Sequence, residues 1–219
     1  MLTRIAFCAA PLILFAASSL AAGPKAAFPE PATDISASAG EGKQTAVLAG
    51  GCFWGVEAVF ERLKGVTSVV SGFAGGDKST AHYETVSTGS TGHAESVKIT
   101  FDPTQITFGQ LLKVYFSVAH DPTELNRQGP DTGTQYRSAI FYMDDEQKRV
   151  AEAYIEQLND AKVFSRPIVT QVTPFHGFYA AESYHQHFLD NNLSNPYIVY
   201  NDLPKLAALK KQYPQMCKR

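Results

Sequence analysis

The sequence predicts an α+β sandwich, one domain with helices packed on a mixed or antiparallel sheet. Three observations carry the fold class. Beyond an apolar start and a polar, small-residue stretch, about 175 residues remain, enough for one domain with a real core. Apolar runs of period two are interleaved with stretches of helical periodicity. These do not follow the strict βαβ alternation of a doubly wound parallel fold.

The elements follow in order. Ala46-Val47-Leu48-Ala49 marks a strand over 45–49, stopped by Gly50-Gly51. Val56, Val59, Phe60 and Leu63 then recur at helical spacing, predicting a helix over 56–62. Residues 66–73 are β-rich and end in the turn Gly75-Gly76-Asp77. A loop with His82, Tyr83 and Glu84 leads through Gly89-Ser90-Thr91-Gly92 into an alternating strand over 94–101, which Asp102-Pro103 ends. Thr107 caps a helix over 108–119, with Leu111, Leu112, Tyr115, Phe116 and Ala119 on one face. Residues 120–136 are polar and rich in Gly and Pro, too long for a simple turn, and long ordered loops often carry function. A strand over 138–142, an amphipathic helix over 144–158 and a strand over 168–173 follow. Helices over 180–189 and 205–213 complete the pattern, and there is no internal repeat.

The N-terminus reads as an export signal over 1–22. Arg4 is the only charge before Lys25, residues 5–20 are almost wholly apolar, and Ser19-Leu20-Ala21-Ala22 forms a cleavage region. An uncleaved anchor is the alternative, because the run is about long enough to span a membrane. Residues 23–43 read as a disordered linker, 44–200 as the folded domain, and 201–219 as a tail with a short helix. The expected location is periplasmic or secreted, with no membrane association after signal removal and a monomeric state. The net charge of −2 and the lack of a basic run argue against nucleic acid as partner. Cys8 leaves with the signal, so Cys52 and Cys217 remain, as one bridge or as two working thiols.

The chemistry centres on Gly50-Gly51-Cys52-Phe53-Trp54-Gly55. Cys52 falls where a strand turns into a helix, and the free N–H groups and dipole there favour the nucleophilic thiolate. The alternative is a buried structural cysteine. Phe53 and Trp54, the only tryptophan, would set an aromatic wall beside the sulfur. Glu95 lies inside an apolar-alternating strand. Exposed, it is a plain surface carboxylate; buried, its pKa rises and it becomes a proton donor. Tyr83, Tyr136 and Asp131 sit in loops, where packing and turn roles are the ordinary reading. His185-Gln186-His187 would point its rings to different faces of a helix, with no acidic cluster nearby in sequence. No metal site is expected there, and His185 reads as a hydrogen-bonded structural residue.

Six ordered strings, G-G-C-F-W-G-V-E-A-V-F, S-G-F-A-G-G, H-Y-E-T-V-S-T-G-S-T-G-H-A-E-S-V, F-D-P, D-P-T-E-L-N-R-Q-G-P-D-T-G-T-Q-Y-R-S and A-E-S-Y-H-Q-H-F, cover about residues 45–190. Together they strongly resemble the A-type peptide methionine sulfoxide reductases. The resemblance implies the ferredoxin-like plan. It also implies reduction of the S-epimer of methionine sulfoxide, free or in peptides and proteins, with no organic cofactor and no metal. Carried over, Cys52 matches the nucleophile and Glu95 the acid that protonates the sulfoxide oxygen. Tyr83 and Tyr136 match the hydroxyls that hold that oxygen, Asp131 lines the site, and Phe53 and Trp54 match the pocket for the S-methyl group. Cys52 sulfenic acid must then meet a second thiol. Cys217 is the candidate within the chain, and a thioredoxin-like protein is the candidate outside it. This tail departs from the mobile glycine-rich tail usual in the family, so reaching Cys52 requires Cys217 to fray from the end. Two competing readings remain at this point: a cysteine acyl hydrolase with His185 as base, and an inactive binder of methionine-rich peptides.

Overall fold

The computed structural model describes residues 28–35 and 42–218. The signal expected over 1–22 and part of the linker expected over 23–43 lie outside the described residues. Fourteen labelled elements follow in chain order. They are β1 Gln44–Ala49, α1 Phe53–Glu61, β2 Val66–Ala74, α2 Tyr83–Val86, β3 Ala94–Phe101 and α3 Phe108–Val114. Next come β4 Arg127–Gln128, β5 Asp131–Thr132, β6 Ala139–Tyr142, α4 Asp145–Asp160, β7 Gln171–Pro174, β8 Phe178–Ala180, α5 Phe188–Asn191 and α6 Leu203–Gln212.

The main sheet runs β7-β6-β1-β3-β2-β8. Its inner four strands pair with one another antiparallel, and α1 and α3 form the crossovers. That is the ferredoxin-like plan. β7 adds a parallel edge to β6, and β8 adds an antiparallel edge to β2. The sheet is therefore mixed. One face carries the core: Ala46 and Leu48 of β1 and Val97, Ile99 and Phe101 of β3 pack with Val56, Val59 and Phe60 of α1 and Leu111 and Leu112 of α3. Each fully buried Leu or Phe contributes roughly 1.5–3 kcal/mol. Val47, Ala49, Ala74, Ala94 and Phe141 form a smaller cluster on the other face, under Phe175 and Phe178. The period-two alternation of β3 thus aims Glu95, in phase with Val97 and Ile99, at the helix side.

Three expectations need correction. The helix expected over 108–119 stops at Val114 and continues as a π turn, Tyr115–Ala119. The turn lets the buried Tyr115 hydroxyl donate to Ala49 O at 2.7 Å and meet Ser138 Oγ at 2.9 Å. The helix expected over 180–189 does not form. A 3-10 turn, Ser183–His185, is broken at His187, which adopts left-handed backbone with φ 53° before α5 begins. Within the expected disordered linker, residues 28–35 are tied down. Pro29 O accepts from Tyr154, and Asp34 accepts from the Gly109 N–H and the Thr107 hydroxyl at the start of α3. Phe28 and Ile35 are partly buried against the core. No described helix is long and apolar enough to cross a membrane.

Candidate active site

The glycines around Cys52 are explained by what crowds them. A Cβ on Gly50 would stand 2.8 Å from His120 Cγ. Gly51 has φ +87°, and its Cβ would stand 2.5 Å from Gln128 Cγ. A Cβ on Gly55 would collide with Asp202 Oδ1. The His120–Gln128 loop and the Asp202 carboxyl therefore lie directly over this corner of the chain. His120 is itself buried, with Nε2 2.7 Å from Ser138 Oγ, and burial lowers it to about 3, so the imidazole is neutral.

Cys52 is the N-cap of α1 and is 8% exposed. Its thiol does not follow the expectation drawn from the helix dipole. Burial raises it well above its ordinary value, the Glu95 and Asp202 carboxyls raise it further, and the Trp54 N–H and Lys205 oppose this in part. The resting thiol is therefore protonated. Desolvation outweighs the dipole because a thiolate here would lose its water and face two carboxyls.

Glu95 is 3% exposed, so the surface reading of this residue is excluded. Its Oε2 accepts the Phe53 N–H at 3.0 Å, which fixes the carboxyl against the residue next to Cys52. Burial raises Glu95 to about 8; the Phe53 N–H pulls it down and Asp131 pushes it up. At neutral pH the group holds a proton.

The other predicted residues converge on the same place. Burial raises Tyr83 and Tyr136, and both feel the charges of Glu95 and Cys52. Tyr83 opens α2, its N–H donating to Glu182 Oε1 at 3.1 Å, and Tyr136 ends the 3-10 turn Thr134–Tyr136. Asp131, in β5, is raised by burial and accepts a short hydrogen bond from the Tyr197 hydroxyl. Trp54 is partly open. It stacks on Phe188 at 3.7 Å between centroids, meets Tyr197 edge-on, and donates from Nε1 to His185 Nδ1 at 3.2 Å. Phe53 is buried beneath it, against Phe73 and His185.

Tyr197, Phe188, Asp202 and Lys205 belong to this cluster and were not read from the sequence. They come from residues 188–205, a segment in which no local motif marks a site. The competing hydrolase needs His185 as a base on Cys52. The His185 ring instead packs on Tyr83 and Phe53, and its Nδ1 accepts from Trp54. His185 is not among the groups acting on the Cys52 thiol.

Cys217 lies elsewhere. It bridges Leu63, just past the C-terminal end of α1, while Cys52 caps the N-terminal end. Lys64 N–H donates to Met216 O and Lys218 N–H to Arg62 O, both at 2.8 Å. The expected frayed tail is instead clipped in place by backbone hydrogen bonds. At 1.5 Å per residue the helix alone separates the two cysteines by roughly 15 Å. A disulfide requires Cα atoms within about 7 Å.

The fold and this cluster define a class: a single-domain α+β enzyme built around one buried cysteine with a carboxyl fixed beside it. Residues 44–217 match the family described as Peptide methionine sulfoxide reductase, and the chain belongs to that family, in its A-type branch. The chain is 60% identical over 178 residues to peptide methionine sulfoxide reductase MsrA 2 of Mesorhizobium japonicum, covering 81% of this chain and 91% of that protein. It is 50% identical to MsrA 2 of Synechocystis sp., covering 87% and 90%. Among solved structures, it is similar to reduced Mxr1 of Saccharomyces cerevisiae, with TM-score 0.63 and 34% identity over 70% of this chain and 87% of that one. Methionine sulfoxide reductase A of Corynebacterium diphtheriae gives TM-score 0.62 and 38% identity, over 71% and 77%.

Proposed function

We propose that the chain reduces methionine (S)-sulfoxide, free or in peptides, by attack of Cys52 on the sulfoxide sulfur with Glu95 as proton donor. One observation carries the assignment of roles: the hydrogen bond that pins a protonated Glu95 to the backbone beside a buried Cys52. A sulfoxide sulfur accepts a nucleophile only as its oxygen gains a proton or strong hydrogen bonds. Tyr83 and Tyr136 keep their protons far into the alkaline range and supply those hydrogen bonds. Trp54, braced by Phe188 and His185 over the buried Phe53, offers an apolar wall to the methyl group.

The atoms balance simply. A bond forms between Cys52 sulfur and the sulfoxide sulfur while the Glu95 proton passes to the oxygen. The S–O bond then breaks, the oxygen passes to Cys52 as sulfenic acid, and the S–S bond breaks with its electron pair going to the methionine sulfur, so methionine leaves. The proton released by the thiol returns to Glu95. Sulfoxide and thiol have become thioether and sulfenic acid, with sulfur at Cys52 oxidised and substrate sulfur reduced. A second thiol condenses with the sulfenic acid, releasing water and forming a disulfide, which a thioredoxin-like dithiol reduces.

The apolar run at 5–20 supports export, so the clients are exported proteins oxidised outside the cytoplasm. N-terminal sequencing of the chain recovered from a periplasmic fraction tests this; a chain retained whole in the cytoplasm would refute it. For the chemistry, the test is turnover of the separated sulfoxide epimers in dithiothreitol. Only the S-epimer should be reduced, and Cys52→Ser should abolish turnover. Equal reduction of both epimers, or activity surviving in Cys52→Ser, would overturn the assignment.

A further inference from the structure

At the far end of α1 lies a second cluster that the reaction does not use. Glu57 and Glu61 stand at i and i+4 on the helix and share one face. His187 meets that face from the break before α5. One ligand atom from each of the three lies within 4.8 Å of the other two. His187 Nδ1 is 2.7 Å from Glu61 Oε1, and its backbone N–H donates to Glu57 Oε2 at 2.9 Å.

Glu57 is the informative member. It is 0% exposed, yet its Oε1 makes no hydrogen bond of good geometry; the Ser71 hydroxyl, close enough to act on the carboxyl, makes none either. A buried carboxyl oxygen left without a partner is unfavourable in an apolar setting, and a ligand that meets it removes the cost. Among the described residues no lysine or arginine pairs with either carboxylate. Arg62 pairs with Asp190, and Lys218 Nζ donates to the Glu61 backbone carbonyl rather than its side chain. Two carboxylates and one imidazole therefore face one another, and one of the carboxylates is buried with an oxygen that makes no hydrogen bond.

We propose that Glu57, Glu61 and His187 form a binding site for a divalent transition-metal cation of the zinc class. The imidazole selects this class over calcium or magnesium, which take all-oxygen shells of six or more ligands. Two carboxylates match the dipositive charge. Donors bound to zinc at about 2.0–2.1 Å stand roughly 3.4 Å apart, wider than the 2.7 Å between His187 Nδ1 and Glu61 Oε1 and inside the 4.8 Å that spans the three ligand atoms, so small side-chain shifts seat the cation. A groove of about 620 Å³ lined by Glu61, His187, Ser68 and Lys218 opens alongside and admits water to the remaining coordination position. The sequence argument against metal placed His187 on a helix with no acidic neighbours. The break at His187 removes the helix, and the fold brings the acids from 130 residues away. His187 follows His185 by two residues, so a cation here would fasten the segment that holds Trp54 to the end of α1.

The test is calorimetric titration of zinc chloride into the full chain carrying Cys8→Ser, Cys52→Ser and Cys217→Ser, because free thiols bind zinc on their own. One equivalent should bind, and zinc should raise the thermal midpoint. His187→Asn and Glu61→Gln should each weaken binding by at least about tenfold. Both side chains are partly exposed, and asparagine tolerates the left-handed backbone at 187, so the fold survives in at least one variant; unfolding without zinc checks this. Absence of binding, binding undiminished in the folded variants, or magnesium bound as tightly as zinc would each overturn the proposal.

Discussion

Cys52 and Glu95 both keep their protons because both have lost their water; the Glu95 carboxyl makes ionisation of Cys52 harder still, and Asp131 does the same to Glu95. The pair is thus charged with protons before substrate arrives, and the acid is ready at neutral pH. Glu95→Gln should lower kcat/KM by about two orders of magnitude, the lower bound for losing a general acid. It should also remove the fall in activity as pH rises through about 8, the region where wild-type Glu95 ionises. A pH profile of the two proteins with a sulfoxide peptide reads both effects. Stability must move as well. The folded-state pKa of Glu95 lies above its unfolded value, so its contribution is complete below about pH 4 and is lost as pH rises towards 8. Thermal midpoints measured from pH 5 to 9 should decline less in Glu95→Gln than in wild type.

The segment around Cys52 works as a corner clamped from three sides. The free-N–H argument for a reactive cysteine was sound about place, since Cys52 does cap α1. It erred about charge, because a string of letters does not tell how much water a helix end retains. Gly55 shows how tight the clamp is. In Gly55→Ala the methyl would displace the Asp202 carboxyl, which accepts from Lys205 at 3.0 Å. Overpacking of this kind costs typically about 1–3 kcal/mol, and urea unfolding should report it. Gly129→Ala, with nothing near its Cβ, should cost only the left-handed penalty of about 1–2 kcal/mol. The helix misread over 180–189 has a comparable physical cause. Its residues have adequate helical spacing, but Gln186 is drawn away to hydrogen-bond the backbone of Ser71 and Ala181. Tertiary partners outbid a local preference worth a few tenths of a kcal/mol per residue.

At the scale of the whole molecule, both ends of the described chain are fastened to the domain. Asp34 joins the Thr107–Gln110 capping box at the start of α3. Asp34→Ala should cost about 1 kcal/mol in equilibrium unfolding, the usual value of a helix cap. At the other end, Cys217 reaches Cys52 only if the strand-like tail peels from residues 62–64. That release breaks two backbone hydrogen bonds and the lysine side-chain bonds from Lys64 to Gln215 O and from Lys218 to Glu61 O, at roughly 1 kcal/mol each. Cys217→Ser should keep dithiothreitol-driven turnover and lose thioredoxin-driven turnover if the tail thiol resolves the sulfenic acid. Mass spectrometry after one turnover without reductant should then find a Cys52–Cys217 disulfide in wild type. A trapped sulfenic acid with unchanged thioredoxin turnover in the variant would assign recycling to the external thiol alone.

The sequence by itself determined the fold class, the order of the inner strands' elements and the six strings that bring Cys52, Glu95, Tyr83, Tyr136 and Asp131 into view. It could do so because periodicity, glycine turns and motif spacing are local properties written along the chain. The tertiary structure alone decided the protonation of Cys52 and Glu95, the membership of Tyr197 and Asp202, the station of Cys217 and the meeting of Glu57, Glu61 and His187. Those depend on burial and on residues far apart in the chain, and neither quantity exists until the chain has folded.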